Sequence, residues 1–171
     1  MNNMNMYIIS DTHFNHTEQM IAYCGRPEDY NERLWNSLKI INDDDILIHL
    51  GDICIGKDSY VHNKLQEFKF RKILVKGNHD RKTNTWYLNN GWDFVCEEFK
   101  DTLFGKNILF SHKPKPWDGE YNINIHGHFH NSDYRRNDPE LFKIVNGYHK
   151  LFALEYNDYK PIKLDKFIQY E

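Results

Sequence analysis

Residues 45–80 read DILIHLGDICIGKDSYVHNKLQEFKFRKILVKGNHD, and their pattern decides the fold. Asp45–Leu50 (DILIHL) is an apolar run of strand length that stops at Gly51-Asp52. Val61, Leu65 and Phe68 then fall on one helical face, and Arg71–Val75 (RKILV) is a further strand, ending in Lys76-Gly77-Asn78-His79-Asp80. On the N-terminal side, Glu32–Ile41 carries Leu34, Trp35, Leu38 and Ile41 at helical spacing before the breaker NDDD, and Met6–Ser10 (MYIIS) reads as the first strand. Strand–helix–strand–helix–strand with short connections predicts a parallel sheet with crossover helices. The C-terminal half changes character. Phe94–Lys100, Asn107–Phe110, Tyr121–His126, Phe142–Val145 and Leu151–Tyr156 read as strands between turn-rich pieces such as KPKPWDG and NSDYRRND. Two sheets packed face to face, with helices outside, are expected.

The chain has 171 residues, the length of one domain, so a single domain over 1–171 is expected. Its 40% hydrophobic content is enough for a core, and no apolar run approaches the roughly 20 residues that span a bilayer. The start MNNMNMYIIS lacks the basic and apolar regions of a signal peptide. Cys24, Cys54 and Cys96 are odd in number and widely spaced, which argues against a disulfide scaffold or a cysteine-based zinc finger and fits a cytoplasmic protein. With 22 basic and 25 acidic residues, the net charge of −3 argues against gripping nucleic acid by bulk charge. No membrane partner is expected.

The ten histidines carry most of the functional information. Asp11 and His13 follow the first predicted strand, Asp52 the second, and Asn78 and His79 the third. His112 follows the Asn107–Phe110 strand, and His128 and His130 follow Tyr121–Ile125. Ligands of open α/β sheets bind at the carboxyl ends of strands, where the loops converge. Asp, Asn and His suit Mn, Fe, Zn, Ni or Mg more than a structural thiolate site. Seven candidate ligands are too many for one four-coordinate ion and suit two ions sharing a bridge. Asp11-Thr-His13 and His128-Phe-His130 are i, i+2 pairs, whose side chains share a side in extended backbone. Each motif alone has a plain reading: Asp-x-His as a surface turn, Gly-Asp as a turn dipeptide, Gly-Asn-His-Asp as a helix cap, and alternating His126, His128 and His130 as solvated imidazoles. Their joint placement at strand ends favours the metal reading.

In chain order, Asp11-Thr-His13, Gly51-Asp52, Gly77-Asn78-His79-Asp80, Ser111-His112 and Gly127-His128-Phe-His130 resemble the motifs of the calcineurin-like metallophosphoesterase superfamily. More closely, the chain resembles a small capless branch whose first motif extends to DTHF-x-H, here Asp11–His16. Tyr23-Cys-Gly-Arg26-Pro27, Trp117 and Asn157-Asp-Tyr159-Lys-Pro161 extend that resemblance along nearly the whole chain. It implies an α/β fold, a four-layer αββα sandwich of two mixed β-sheets with flanking helices and no cap domain. It also implies two divalent metal ions: Asp11, His13 and His130 on one, Asn78, His112 and His128 on the other, and Asp52 bridging. His79 takes the place of the catalytic histidine, and Asp80 is placed to orient its ring. His126 is not a motif position. Gly51-Asp-Ile-Cys-Ile-Gly56 lacks the Asp-Arg pair of the protein Ser/Thr phosphatases, Asp80 stands where they carry Glu, and Asn15 replaces the glycine usual in the branch.

The implied chemistry is phosphate-ester hydrolysis by a hydroxide shared between two Lewis-acidic ions, manganese foremost. His79 as imidazolium would stabilise developing charge or protonate the leaving oxygen, a role suited to a side chain that titrates near neutrality. An uncapped site admits phosphodiesters, so a phosphodiesterase on a small phosphoester, nucleotide or nucleic-acid-type substrate is expected, with nucleic acid as substrate only. A phosphomonoesterase with the same site is the alternative. His16, Arg26 and Asn78 are the candidate substrate contacts, Arg26 because guanidinium recognises phosphate bidentately, with a surface salt bridge as its plain reading. Arg135-Arg136 and Lys113/Lys115 read as solvated loop charges. A scaffold without activity would be expected to lose motif residues, and the full set is present. His126-x-His128-x-His130 lacks the following Asp-His of a metallo-β-lactamase pattern, and no ββα-metal context surrounds Asn78-His79.

Overall fold

The computed structural model describes residues 4–132 and 138–169. Its strands are β1 (Met6–Ile9), β2 (Ile46–His49), β3 (Arg71–Val75), β4 (Phe94–Cys96), β5 (Glu98–Leu103), β6 (Lys106–Ser111), β7 (Ile123–His126), β8 (His149–Leu151) and β9 (Ile162–Lys163). The unit read from residues 45–80 forms the centre of a five-stranded sheet in the order β4-β3-β2-β1-β9, parallel except for β9. All four residues of β2 are buried, as a central parallel strand covered on both faces requires. The second sheet has the order β5-β6-β7-β8, with β5 antiparallel to β6 and the other pairs parallel. Ile8 and Leu74 of the first sheet and Ile108, Phe110 and Ile125 of the second belong to one buried core, so the sheets pack face to face as expected.

The helices are α1 (Thr17–Cys24), α2 (Tyr30–Ser37), α3 (Asp58–Leu65), α4 (Asn84–Asn89), α5 (Pro139–Phe142) and α6 (Leu164–Gln169). In α2 the buried Leu34 faces the core, and the neighbouring Trp35 stacks on Phe14 with ring centroids 4.0 Å apart. On the outer face of the second sheet, the segment after β6 lies against Asn124. The Asn124 amide accepts from Lys115 N–H at 2.8 Å and donates to Ser111 Oγ at 2.8 Å.

Some elements differ from the sequence pattern, each for a local reason. Phe94–Lys100 is two strands, because the chain leaves the first sheet after Cys96 and enters the second at Glu98, with exposed Glu97 at the crossing. Phe142–Val145 is no strand. Asp138 caps α5 by accepting from Leu141 N–H at 3.3 Å and Pro139 starts it, signals that outweigh the short apolar run after them. In Leu151–Tyr156 only Leu151 is strand, and Leu154–Tyr156 turns into a 3₁₀ helix. The Glu32–Ile41 helix begins at Tyr30 and tightens to 3₁₀ over Leu38–Ile40. Helix α1 had no clear periodic signal, since Met20 and Cys24 are its only buried residues. Arg135-Arg136 lies outside the described residues.

His126 is buried on the outer face of the second sheet and donates through Nδ1 to the Gly127 carbonyl at 2.9 Å. Burial pushes its pKa from 6.5 down to about 3. Between those values the unfolded chain therefore holds more protons than the folded one. Stability is predicted to fall as the pH falls through this window, by roughly 1.4 kcal/mol per pH unit for that proton. His126→Asn should remove about one proton from the slope of unfolding free energy between about pH 4 and 6. An unchanged slope in urea titrations would show that this imidazole is not held neutral.

Candidate metal centre

The carboxyl ends of β1, β2, β3, β6 and β7 deliver the predicted residues to one edge of the sandwich. Asp52 stands at the middle. Its Oδ1 accepts from His79 N–H at 2.8 Å, which leaves Oδ2 facing imidazoles: His112 Nε2 at 3.4 Å, His13 Nε2 at 3.6 Å and His79 Nε2 at 4.0 Å. On one side, Asp11 Oδ1 lies 3.9 Å from His13 Nε2 and 3.6 Å from His130 Nε2. On the other, His112 Nε2 lies 3.1 Å from Asn78 Oδ1 and 3.3 Å from His128 Nδ1. Asp11, His13 and His130 can present one donor atom each within 4.8 Å of one another, and so can Asp52, His112 and His128.

Five of these residues sit in left-handed backbone: Asp11 (φ 53°), His13 (φ 45°), Asp52 (φ 56°), His128 (φ 73°) and His130 (φ 52°). The i, i+2 pairs thus converge through tight turns and not through the extended geometry the sequence suggested. Each such residue costs about 1–2 kcal/mol, so the surroundings must over-determine it. Backbone bonds between the loops do so: Asp11 N–H to Gly51 O at 2.9 Å, His13 N–H to Asp52 O at 3.0 Å, and Gly127 N–H to His112 O at 3.0 Å. Close approach enforces two of the motif glycines. A Cβ on Gly77 would collide with Asp52 Oδ1, and one on Gly127 with Ser10 Oγ and Asp11 Oδ2.

The donor atoms are aimed by their partners. Asp11 Oδ2 accepts from Ser10 Oγ at 2.6 Å and from His128 N–H at 2.9 Å, which leaves Oδ1 free. His112 donates through Nδ1 to Leu50 O at 2.7 Å, which aims Nε2 at Asp52 and Asn78. Against the lowering by burial, the Asp52 hydrogen bond and the nearby carboxylates raise its pKa to about 9, so a bound ion would take the place of an Nε2 proton. Among the described residues Asp11 Oδ1, His13 Nε2 and His128 Nε2 are buried without a hydrogen-bond partner. Orphaned acceptors of this kind are costly unless a cation completes them, and an oxygen–imidazole donor set suits a divalent metal. The residues therefore fit two ions as the motifs imply. Electrostatics are set by burial and by the carboxylates. Burial alone would raise the Asp52 pKa, but the hydrogen bond and charge of His112, with the hydrogen bond from His79 N–H, hold it below the usual carboxylate range. Burial lowers the His128 pKa to about 3, and lowers that of His13 well below 6.5 against the pull of Asp52.

His79 is partly exposed and lines a recess of about 220 Å³ together with His13, His16, Asp52, Asn78 and His130. His16 closes one wall, its ring centroid 5.7 Å from that of His13, and burial with the charges of His79 and Arg26 lowers its pKa.

Two sequence expectations are corrected. Arg26 is buried beneath the site, where Nε donates to Glu155 at 2.7 Å, Nη1 to Thr12 O at 3.1 Å and Nη2 to Asp11 O at 2.8 Å. It is neither a substrate contact nor a surface salt bridge, because its donors are spent on the β1 loop and a buried carboxylate. Asp80 does not orient the His79 ring. Its oxygens accept backbone N–H from Asp52 at 2.7 Å, Gly77 at 2.8 Å and Ile53 at 3.1 Å, which clamps the β2 and β3 loops together.

Sequence reasoning also passes over Glu155 and His49. Glu155 Oε1 lies 3.4 Å from His130 Nδ1 and orients that ring with Arg26, although no motif marks a residue 129 positions from Arg26. His49 accepts Gly51 N–H at Nδ1 (3.1 Å) and so donates from Nε2 to Thr12 Oγ1 (3.0 Å), joining the β1 and β2 loops. Burial lowers its pKa to about 3, which keeps it neutral in that role.

A family model described as calcineurin-like phosphoesterase matches residues 4–168. An uncharacterized curated protein of Methanocaldococcus jannaschii is 30% identical over 180 aligned residues, covering 96% of this chain and 89% of its own. A solved protein of unknown function from Aquifex aeolicus superposes with a TM-score of 0.75 at 27% identity, over 98% of this chain and 99% of its own. A phosphoesterase from E. coli shares the fold with a TM-score of 0.50 at 15% identity, over 88% of this chain and 78% of its own.

Arg26→Ala is predicted to cost about 3–5 kcal/mol in urea unfolding, because buried Glu155 loses its guanidinium and keeps only the His130 ring beside it. A loss below ~1 kcal/mol, the range of an exposed pair, together with a raised KM would restore the substrate-contact reading.

Proposed function

The chain belongs to the calcineurin-like phosphoesterase family, and we propose that it is a phosphodiesterase that uses two divalent metal ions, manganese foremost, on a nucleotide or nucleic-acid-type substrate. The observation that supports this most is the pair of donor clusters that meet at Asp52, Asp11/His13/His130 and Asn78/His112/His128, with Asp11 Oδ1 and His13 Nε2 of the first buried without a protein partner. Ions held there would supply Lewis acidity, lowering the pKa of a bound water toward neutrality and neutralising phosphate charge.

The chain's own residues do the rest. Asp52, fixed through Oδ1 and clamped by Asp80, keeps the two clusters in register. His79 faces the recess with its ring partly exposed and T-shaped to that of His13 at 5.5 Å. Once the water's proton had passed to solvent, the resulting hydroxide would bond to phosphorus as the bond to the leaving oxygen broke, with inversion. The His79 imidazolium gives its proton to that leaving oxygen. His16 and Asn78 line the same recess and are the substrate contacts proposed beside His79. A diester is favoured because a second recess adjoins this one across His16 and His79, so the group beyond the scissile bond has surface to lie on. The second reading is a phosphomonoesterase, for which the about 220 Å³ metal recess alone would suffice. A scaffold without activity would not need strained backbone at five metal-facing positions.

Metal-stripped protein refilled with Mn²⁺ is expected to hydrolyse bis(p-nitrophenyl) phosphate in preference to p-nitrophenyl phosphate. His79→Ala should retain bound metal and lose roughly 10²–10⁴-fold in turnover on a poor leaving group. Asp52→Asn should lose metal and activity together. Preference for the monoester would favour the second reading, and equal loss of metal and activity in His79→Ala would remove His79 from proton transfer.

A further inference from the structure

Beside the metal recess lies a second one of about 510 Å³, and the two share His16 and His79 as a common wall. Arg81 and Lys82 line it, both exposed, on the loop that carries His79. Arg81 N–H donates to the His79 carbonyl at 3.0 Å, so the guanidinium starts two residues from the proton donor. Among the described residues no carboxylate pairs with either cation. The contact described for Lys82 is with the Trp86 ring, 5.7 Å from its centroid. Several other exposed cations pair with carboxylates, Lys115 with Glu98, Lys100 with Asp118, Arg33 with Asp29 and Lys160 with Asp158. Among the described residues exposed Lys69 and Lys106 also have no carboxylate partner, but they line neither recess. Asp58 also lines the recess and offsets one of the two charges, which leaves the wall net positive.

Two adjacent cations with no carboxylate paired to either, on the wall of a recess that adjoins the proposed phosphoester site, present the chemistry of a phosphate subsite. Resting on the phosphodiesterase reading, we infer that Arg81 and Lys82 bind a second phosphate of the substrate, on the leaving-group side of the scissile bond. The side follows from His79. It stands between the recesses and protonates the leaving oxygen, so the departing group extends past it toward Arg81. The substrate class is thereby narrowed to phosphodiesters whose leaving group itself carries a phosphate, as in an oligonucleotide.

Calorimetric titration of the manganese-loaded protein with thymidine 3′,5′-bisphosphate and with thymidine 5′-monophosphate reads the subsite as a ratio of two affinities. The bisphosphate should bind about tenfold or more tightly, the effect of one charge-assisted hydrogen bond. In the double variant Arg81→Ala/Lys82→Ala the ratio should fall close to one, and in Arg81→Lys/Lys82→Arg most of it should return. Lys69→Ala/Lys106→Ala makes the same change in net charge elsewhere and should leave the ratio intact. An affinity that stops rising at the second phosphate marks a small nucleotide, and one that rises further with oligothymidylate length marks a strand. No preference in the parent protein, or an equal preference in Arg81→Ala/Lys82→Ala, overturns the subsite. The ratio needs no turnover, so failure to hydrolyse any diester would remove the phosphodiesterase reading and still leave the subsite decided.

Discussion

The structure depends on the placement of one carboxylate. Asp52 sits where the β2 loop, the β3 loop and both histidine-bearing loops of the second sheet meet, and every constraint on it serves that position. Its backbone is left-handed, its N–H is held by Asp80, and one of its oxygens is pinned by the N–H of His79. The other oxygen faces three imidazoles within 4.0 Å. Gly77 has no room for a side chain because Asp52 occupies it. A parallel sheet whose strand ends converge makes this meeting possible, and strained turns complete it at an energetic cost that bound cations would offset.

Beneath Asp52 a second set of groups sets the orientation of the donors. Arg26 and Glu155 tie the β1 loop to the 3₁₀ turn at Leu154–Tyr156 and hold the His130 ring by Nδ1. His49, kept neutral by burial, joins Thr12 to Gly51. Ser10 and His128 N–H turn Asp11 so that one oxygen stays free. Glu155 and Ser10 hold His130 and Asp11 by atoms other than His130 Nε2 and Asp11 Oδ1, the arrangement by which protein metal sites fix ligand orientation and basicity.

The parallel first sheet and the convergence of the candidate ligands on one edge were legible in the sequence because strand ends in this fold coincide with short polar motifs. Arg71–Val75 matches its strand, and the motif residues Asp11, His13, Asp52, Asn78, His112, His128 and His130 all come to one edge. What was not legible depends on pairings far apart in the chain. Arg26 carries the composition of a phosphate contact, and only its partner Glu155 shows it to be a buried positioning group. Asp80 follows His79 in sequence, yet its carboxylate reaches back to Asp52 and Ile53. Phe94–Lys100 reads as one strand because periodicity does not report a change of sheet at Glu97.

Anomalous diffraction from crystals of the manganese-loaded protein tests the central claim most directly. Two peaks are predicted on either side of the Asp52 carboxylate, one among Asp11, His13 and His130 and the other among Asn78, His112 and His128. A single peak, or ions bound away from Asp52, would contradict a two-ion centre built on that residue.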